Sequence, residues 1–401
     1  MRLMIDPGFY HQLGNNDQIR CLNLLKEGRG AGVILSPRDI KNDNLFVDYT
    51  NKYKSTNTEV LIDPQLYTSD SAQLRLNDDE IDNTAAWIDR EVSDPLIRSS
   101  MQKQYNLLPS RYIIPSPFAT SITDTWLNIL KNCVFEALQW RYDLKIQSEI
   151  YATLAISVNI ITDKELRLKL LDSISGLSVD GFYLVTDIPV RPSNPQMLVG
   201  LMDIIFHLKS NSFKILLGYT EPYAILNFPL GLDGFASSGL KNRRSFQPSQ
   251  WKKTVRSGGQ APKFFNFWSP VLLDSIRFPD EAEELQRAGL WTQIYSLSPY
   301  AERLDNKSPK ALFDEKEMTK TDIANNYSVM MVEIAKRFRN SNYVERTEIV
   351  REMISSAKAM RERISRQGIA IRDSYPPYDA WSEAFEFYLK SMRDDLTDEY
   401  G

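Results

Sequence analysis

The sequence predicts an α/β fold, a (β/α)₈ TIM-like barrel with a C-terminal helical subdomain. Eight short apolar runs alternate with helix-like segments over the first ~250 residues, a length and rhythm typical of a (β/α)₈ barrel. Apolar runs this short are typical of buried parallel strands. The pattern does not fix the order of the strands, so an open doubly wound sheet is the alternative. No G-x-G-x-x-G motif follows an early strand to support that alternative.

The predicted strands share a way of ending, in which an apolar run stops at a polar residue. The eight runs are Arg2–Asp6, Gly32–Leu35, Glu59–Ile62, Arg111–Ile114, Ile150–Ser157, Gly181–Val185, Lys214–Leu217 and Leu232–Ala236. Three of them stop at a polar residue that is followed by proline, in Asp6-Pro7, Ser36-Pro37 and Asp63-Pro64. Proline cannot donate to a strand ladder, so it ends the strand and leaves the polar side chain at the carboxyl end.

Helical periodicity fills the intervals between these strands and returns after the last one. The predicted helices of the barrel are Asp17–Glu27, Asn44–Lys54, Thr84–Tyr105, Asp124–Tyr142, Asp163–Ile174 and Asn194–Ser210, with Leu66–Asp82 as an insertion loop. Beyond the barrel, Asp280–Leu290 and Lys320–Ile369 are mostly helical. We therefore expect a barrel over residues 1–275 and a helical extension over residues 276–401, whose helices offer a surface for a protein partner.

The composition of the chain limits the partners, metal sites and cellular locations that the sequence predicts. The 401 residues carry a net charge of −4, so a polyanion partner requires a local basic patch. Two cysteines and two histidines offer neither a zinc cluster nor a disulfide framework, which favours a cytoplasmic protein without a metal or cofactor. No segment resembles a signal peptide or is long and apolar enough to span a membrane.

Reactive groups in a barrel gather at the carboxyl ends of the strands. The candidates there are Asp6, Ser36, Arg38, Asp63, Gln65, Ser116, Ser157, Asp187, Glu221, Asp233, Ser237 and Ser238. We expect Asp63, Asp187, Glu221 and Asp233 to line one pit, where mutual repulsion would separate their pKa values for acid–base chemistry. The alternative is that individual carboxylates cap helices or pair with Arg38 and Arg243.

The segment after the last strand is basic and aromatic. No Asp or Glu occurs between Gly234 and Leu273, whereas cations and aromatic residues alternate from Lys241 to Lys263. Cations hold phosphates and aromatic rings stack on bases, so this segment predicts a nucleic acid (tRNA or DNA) or a phosphorylated ligand. The predicted phosphate-binding residues are Ser237, Ser238, Lys241, Asn242, Arg243 and Arg244. The alternative is a barrel-closing helix with a solvated basic face and buried aromatic residues.

The late strands resemble those of the queuine/archaeosine tRNA-guanine transglycosylases. The resemblance lies in Gly218-Tyr219-Thr220-Glu221-Pro222, in Gly231-Leu232-Asp233-Gly234-Phe235-Ala236, and in Lys241-Asn242-Arg243 before Phe246. It implies that Asp63 matches a catalytic aspartate, that Asp233 matches the first aspartate of the second motif, and that Asp187 lies near the base-recognition strand. Ala236 stands where the family has its nucleophilic aspartate, and no cysteine follows Cys133 to build the family's zinc site.

Three functions follow from these observations. The first is an enzyme acting at the N-glycosidic bond of a nucleobase in nucleic acid, by base exchange or base removal. Its catalytic residues would be Asp63, Asp187 and Asp233, and its base- or substrate-binding residues Gln65, Ser116 and Glu221. The second is a non-catalytic barrel that binds nucleic acid or a partner. The third is an unrelated barrel enzyme for a small phosphorylated metabolite.

Overall fold

The structure is a computed structural model. It describes residues 6–13, 17–36, 43–67, 87–248, 264–371 and 377–400. Within these ranges, none of the helices combines the length and the apolar character needed to cross a membrane.

Eight parallel strands form the barrel and confirm the predicted fold class. They are β1 (Gly8–Gln12), β2 (Gly32–Leu35), β3 (Glu59–Ile62), β4 (Tyr112–Ile114), β5 (Ile150–Ile156), β6 (Gly181–Thr186), β7 (Lys214–Gly218) and β8 (Gly234–Ser237). Strands that follow one another in the chain pair in parallel, except β3 and β4, and β1 pairs with β8. Between β3 and β4 there is no strand ladder among the described residues, but the Ser110 backbone N–H, just before β4, donates to the Val60 carbonyl of β3 at 2.8 Å.

Two strand positions differ from the prediction. The first strand was expected at Arg2–Asp6, of which residues 2–5 lie outside the described ranges, but β1 begins at Gly8, so Asp6 precedes it. The last strand was expected at Leu232–Ala236, but it begins at Gly234, so Asp233 also precedes its strand. At the last strand, the apolar run extends beyond the residues that pair, because Leu232 is buried although it precedes the strand.

The helices surround the barrel in the expected alternation. They are α1 (Gln18–Lys26), α2 (Asp43–Lys54), α3 (Arg90–Leu107), α4 (Asp124–Asp143), α5 (Val158–Thr162), α6 (Lys164–Ile174) and α7 (Pro195–Ser210), and a 3₁₀ turn at Pro222–Asn227 links β7 to β8. Several begin at a side-chain cap. Thr123 accepts from the Trp126 N–H, and Asp163 accepts from the Glu165 and Leu166 N–H groups.

A hairpin and further helices follow the barrel. They are β9 (Phe265–Ser269), β10 (Asp274–Phe278), α8 (Asp280–Arg287), α9 (Trp291–Tyr295), α10 (Ala301–Asn306), α11 (Pro309–Asp314), α12 (Lys320–Arg337), α13 (Tyr343–Arg366), α14 (Tyr378–Ser391) and α15 (Arg393–Tyr400). The predicted helical stretch 320–369 is thus two capped helices, α12 and α13. The boundary expected at residue 275 falls inside β10, and the division into two domains stays a prediction.

The amino-terminal end of the barrel is closed by ion pairs. The Arg111 guanidinium contacts the Glu59 carboxylate at 2.6 Å and that of Glu149 at 3.3 Å. Lys214 also pairs with Glu149, and the Tyr10 hydroxyl donates to Glu59 at 2.6 Å. These groups come from strands around the barrel, so one end of its interior is occupied by mutually satisfied charges.

Close strand packing predicts that replacing Gly181 with alanine lowers the stability of the protein much more than the same substitution at Gly176. A Cβ on Gly181, at the start of β6, would lie 2.4 Å from the Lys214 carbonyl oxygen, and backbone cannot yield as a flexible side chain does. We expect Gly181→Ala to lower the free energy of unfolding by roughly 1–3 kcal/mol or more. Chemical denaturation measures this. Gly176→Ala is the control, since nothing lies within 4 Å of its Cβ position, and equal effects of the two substitutions would contradict the packing.

Candidate active site

Most of the predicted site residues lie where expected, at the carboxyl ends of the strands. Asp63 and Gln65 follow β3, Ser116 follows β4, Asp187 follows β6, Glu221 follows β7, and Ser237 ends β8. They do not form one pit. Instead, Asp63 and Gln65 belong to a polar cluster inside the barrel, Glu221 lies in a charged crevice beside it, and Asp187 and Ser116 belong to neither.

Asp63 lies in a cage of tyrosines. Its carboxylate accepts hydrogen bonds from the hydroxyl groups of Tyr67 at 2.6 Å, Tyr183 at 3.1 Å and Tyr219 at 3.4 Å, and from the Gln65 N–H at 3.0 Å. The side chain is fully buried. Burial raises the pKa of Asp63 to about 6, although each of these donors stabilises the charged form and opposes the shift.

A second layer of polar contacts fixes the cage. Gln65 donates to the Tyr219 hydroxyl and accepts from the Ser36 hydroxyl. Gln12 donates to the Tyr183 hydroxyl at 3.1 Å and accepts from the Tyr219 N–H at 2.9 Å. Gln65 and Tyr219 both adopt left-handed backbone conformations, with φ of 55° and 50°. Such strain in residues other than glycine persists only where surrounding contacts impose it.

Phe246 covers the cage on the side of the carboxyl ends. Its ring is fully buried and packs against Tyr67 at 5.3 Å, Phe118 at 5.4 Å and Tyr219 at 5.9 Å between ring centroids. Ala236, at the position of the family nucleophile, belongs to the same buried cluster. Asp63 is therefore sealed from solvent by aromatic rings in this structure.

Asp233 does not share the mouth of the barrel, so its expected place there is wrong. Because β8 begins at Gly234, Asp233 lies at the amino-terminal end of the strand. Its carboxylate pairs with the Lys209 ammonium at 2.8 Å and accepts from the Ile215 N–H at 2.7 Å. These contacts hold the end of α7 against the start of β7.

Asp187 and Ser116 make contacts typical of structural residues. Asp187 is half-buried, which raises the pKa of its carboxyl group, and it accepts from the Val158 N–H at the start of α5 at 2.5 Å. Ser116 is fully buried and donates to the Thr153 carbonyl at 2.8 Å. For Asp187, helix capping was the alternative considered from the sequence.

The predicted phosphate-binding turn is only partly exposed. Ser237 is bonded to the Tyr327 hydroxyl at 2.8 Å, and Ser238 accepts from the Leu240 N–H at 3.2 Å. Arg244 is buried, donates to the Ser238 carbonyl at 3.1 Å, and stacks on the Tyr327 ring at 3.3 Å. The side chains of Ser237, Ser238 and Arg244 therefore contact other groups of the protein, contrary to the expectation that they face a phosphate.

The half-exposed members of that turn are Lys241 and Arg243. The side chain of Asn242 lies outside the described part of the chain, as do residues 249–263 of the basic and aromatic segment.

A charged crevice lies between the barrel and the segment that follows it. Its ionisable lining residues are Arg191, Glu221, Lys241, Arg244 and Asp274. The nearest described cation to Glu221 is Arg244, at 3.8 Å, and Arg191 pairs with Asp274. Burial raises the pKa of Glu221 to about 7, against the opposing effect of Arg244 and Arg191.

The crevice is narrow and contains an unused donor. Its free volume is about 10 Å³, close to the ~10–15 Å³ that one water needs. The indole of Trp268 lines it and is 1% exposed, and its N–H has no hydrogen-bond partner among the described residues. A buried donor without a partner costs free energy, so this N–H fits a site that receives a polar atom from a ligand or water.

Several residues of the two clusters were not identified from the sequence. Tyr67 and Tyr183 lie in no motif singled out above, and Tyr219 lies within the first matching motif but was not predicted to contact Asp63. Tyr183 belongs to the apolar strand β6 and to the buried cluster inside the barrel. Arg191 and Asp274 are far apart along the chain, and Trp268 follows the basic and aromatic segment, so the sequence does not link these three residues to Glu221. The described residues bring together no group of three or more histidine, cysteine or carboxylate side chains that could hold a metal ion.

The chain matches no protein-family model and no curated protein. Among solved structures it is similar to β-methylaspartase from Clostridium tetanomorphum, with 9% identity, a TM-score of 0.34, and 59% of this chain aligned to 54% of that enzyme. A putative phosphonomutase from Burkholderia cenocepacia gives 9% identity and a TM-score of 0.35 over 57% of this chain and 86% of the other.

The 4-hydroxy-tetrahydrodipicolinate synthase from Methylacidiphilum fumariolicum gives 9% identity and a TM-score of 0.34 over 90% of this chain and 99% of that enzyme. The alignment with β-methylaspartase spans about half the length of that enzyme. Likenesses this weak carry no information on chemistry, so the fold rests on the strand pairing itself.

The buried Asp63 predicts a pH-dependent stability. With the pKa raised from 3.8 to about 6, the folded state holds a proton that the unfolded state has released between pH 4 and 6, so stability falls as pH rises through this range. Asp63→Asn removes this dependence. We expect the stability of the variant relative to wild type to rise by on the order of 3 kcal/mol between pH 4 and 7.

Thermal or chemical unfolding at several pH values measures this difference. Asp124→Asn is the control, because a hydrogen bond from Lys169 lowers the pKa of this exposed carboxylate and gives the opposite trend. A difference between Asp63→Asn and wild type that stays constant with pH would show that Asp63 titrates normally in the folded protein.

Proposed function

We propose that this protein is a nucleic-acid-modifying enzyme that removes a nucleobase by cleaving its N-glycosidic bond, with Glu221 as the general acid–base residue. The observation that carries the proposal is the position of Glu221 and the raised pKa of its carboxyl group. It follows a barrel strand, lies in a crevice lined by Arg191, Lys241 and Arg244, and has a pKa raised to about 7 by burial. A group that titrates near neutral pH is suited to proton transfer.

Glu221 is a better candidate than the carboxylates favoured by the sequence. Asp63 receives four hydrogen bonds and is sealed beneath Phe246. Asp233 lies at the other end of its strand, paired with Lys209. Glu221, in contrast, has one described cation within 4 Å, at 3.8 Å. Its charge is therefore less fully stabilised by the protein, which leaves it able to gain and lose a proton.

Base removal fits the site better than base exchange. Exchange by the mechanism of the transglycosylases requires a carboxylate that attacks the sugar, and Ala236 occupies that position. In base removal, water attacks the sugar carbon as its bond to the base nitrogen breaks. Glu221 accepts a proton from the water and returns it to the departing base, so the step consumes one water and leaves both products neutral at the reacting atoms.

The resemblance to the tRNA-guanine transglycosylases supports a nucleobase substrate, since Glu221 lies within the first matching motif. The half-exposed Lys241 and Arg243 support a polyanion, because they place cations beside the crevice in a chain whose net charge is −4. A small phosphorylated metabolite would use the same cations, and remains the third function to be distinguished by assay.

Glu221→Gln tests the proposal. The protein is incubated with tRNA and with single- and double-stranded DNA, and released bases are measured by mass spectrometry. We expect wild type to release a base and the variant to be slower by roughly 10²–10⁴-fold. Because the deprotonated form accepts the proton, the wild-type rate should rise as pH passes 7.

Glu136→Gln is the matched control, since Glu136 is also a buried glutamate near an arginine, Arg98 at 2.7 Å, but lies on α4 away from the crevice. Its rate should equal that of wild type. Base release that persists in Glu221→Gln would remove Glu221 from the mechanism.

The second candidate is a non-catalytic barrel that binds nucleic acid or a partner. It is favoured by one observation: the barrel interior is filled by Asp63, its tyrosines and Phe246, with no open space at the position of Ala236. We then expect salt-sensitive binding of tRNA or DNA without base release. Lys241→Ala with Arg243→Ala should weaken it, and Glu221→Gln should not. Filter binding at 50 and 200 mM salt, roughly a fourfold range, separates the two candidates.

A further inference from the structure

A groove separate from the crevice opens on the surface beside Lys241. Three elements line it: the turn after β8 with Gly239, Leu240, Lys241 and Arg244, the start of β9 with Phe264, Phe265 and Asn266, and the first turns of α12 with Lys320, Ile323 and Ala324. Its volume is about 350 Å³, within the ~300–1,000 Å³ of pockets that hold small ligands. It shares Lys241 and Arg244 with the crevice.

The lining combines cations with aromatic rings. Lys320 is exposed and makes no ion pair with another described residue. Lys241 is half-exposed and donates to the Asn266 side chain at 3.3 Å. Phe264 and Phe265 are half-buried, with the Arg277 guanidinium 4.7 Å from the Phe264 ring centroid and the Phe313 ring 5.1 Å from that of Phe265, so a base would contact the part of each ring that faces the groove. No carboxylate lines the groove among the described residues. An anion placed between the two lysines is therefore not repelled by a negative side chain of the lining.

The floor of the groove depends on a glycine. A Cβ on Gly239 would lie 2.8 Å from the Arg20 guanidinium and 2.9 Å from the Ala324 carbonyl oxygen. The turn after β8 therefore rests directly on α12. This contact brings Lys241 of the turn and Lys320 of the helix to the same opening, although they are distant in the chain.

We infer that this groove binds a nucleoside monophosphate unit, with the phosphate between Lys241 and Lys320 and the base against Phe264 and Phe265. A phosphate group needs cations, and a planar base gains from contact with an aromatic ring. The inference rests on the proposed function for its biological meaning, since the unit would be a neighbour of the nucleotide whose base is removed. The binding itself does not depend on Glu221.

Equilibrium binding tests the groove directly. The four nucleoside 5′-monophosphates, inorganic phosphate and adenosine are titrated separately into the full-length protein by calorimetry. We expect each monophosphate to bind more tightly than inorganic phosphate, which lacks a base, and than adenosine, which lacks the phosphate. Lys320→Glu should weaken the monophosphates roughly tenfold or more, and Phe264→Leu should weaken them roughly tenfold while leaving inorganic phosphate unchanged.

Lys310→Glu is the matched control, because Lys310 is an exposed lysine in the first turn of α11 and does not line the groove. It should bind as wild type does. Monophosphate binding that is absent in wild type, equal to that of inorganic phosphate, or unaffected by Lys320→Glu would overturn the inference.

Glu221→Gln separates this inference from the proposed function. We expect that variant to bind monophosphates at least as tightly as wild type does, because the substitution removes a negative charge near Lys241. If base release proves independent of Glu221 while Lys320→Glu still abolishes binding, the groove stands and the catalytic proposal fails. If base release depends on Glu221 but monophosphates bind equally well to Lys320→Glu, the catalytic proposal stands and the groove fails.

Discussion

Parallel hydrogen bonding between β1 and β8 joins the first and last strands of the barrel, and the shared strand direction gives its two ends different properties. All amino-terminal ends of the strands meet at one end, where Glu59, Arg111, Glu149 and Lys214 satisfy one another. All carboxyl ends meet at the other, where Asp63 and Glu221 lie. A carboxylate at the start of a four-residue strand is separated from its end by ~13 Å, at ~3.3 Å per residue. Strand polarity therefore decides which carboxylates can act together.

The two carboxylates at the mouth differ in how the protein stabilises them. Asp63 is surrounded by hydroxyl and amide donors, and those donors are held in turn by Gln12, Gln65 and Ser36. Such a network is costly to break, because every member would leave a buried polar group without a partner. Glu221 has a single described cation nearby, at 3.8 Å. The first carboxylate organises the interior, whereas the second makes, among the described residues, one ion-pair contact, with Arg244.

The sequence predicted the fold well because the barrel depends on local patterns. The boundaries of β2 and β3 were correct to the residue, since polar residues and proline end both strands. The start of β8 was missed because Leu232 is apolar and buried although it lies in a turn. That shift of two residues moved Asp233 from the mouth of the barrel to its other end. A small error in a strand boundary thus became a large error in the site.

The site was less predictable because its contacts join distant parts of the chain. The bond between Tyr183 and Asp63 spans 120 residues, and that between Ser237 and Tyr327 spans 90. Nothing in the local sequence around Tyr183 or Tyr327 indicates these partners. Ser237, Ser238 and Arg244 were predicted to face a phosphate, since a small-residue turn before cations often does. The packing of α12 on that turn buries them instead.

The packing of α12 also explains why the region after the barrel cannot be treated as an appendage. Tyr327 supports Arg244 and holds Ser237, while Asn326 donates to the Trp268 carbonyl at 2.7 Å. The helix thus fixes the two residues, Arg244 and Trp268, that form walls of the crevice around Glu221. Asp274, on β10, also lines this crevice, although β10 is not a strand of the barrel. A barrel isolated from these elements would retain Glu221 but lose the low-polarity surroundings that raise its pKa, and with them the chemical property that makes it a candidate for catalysis.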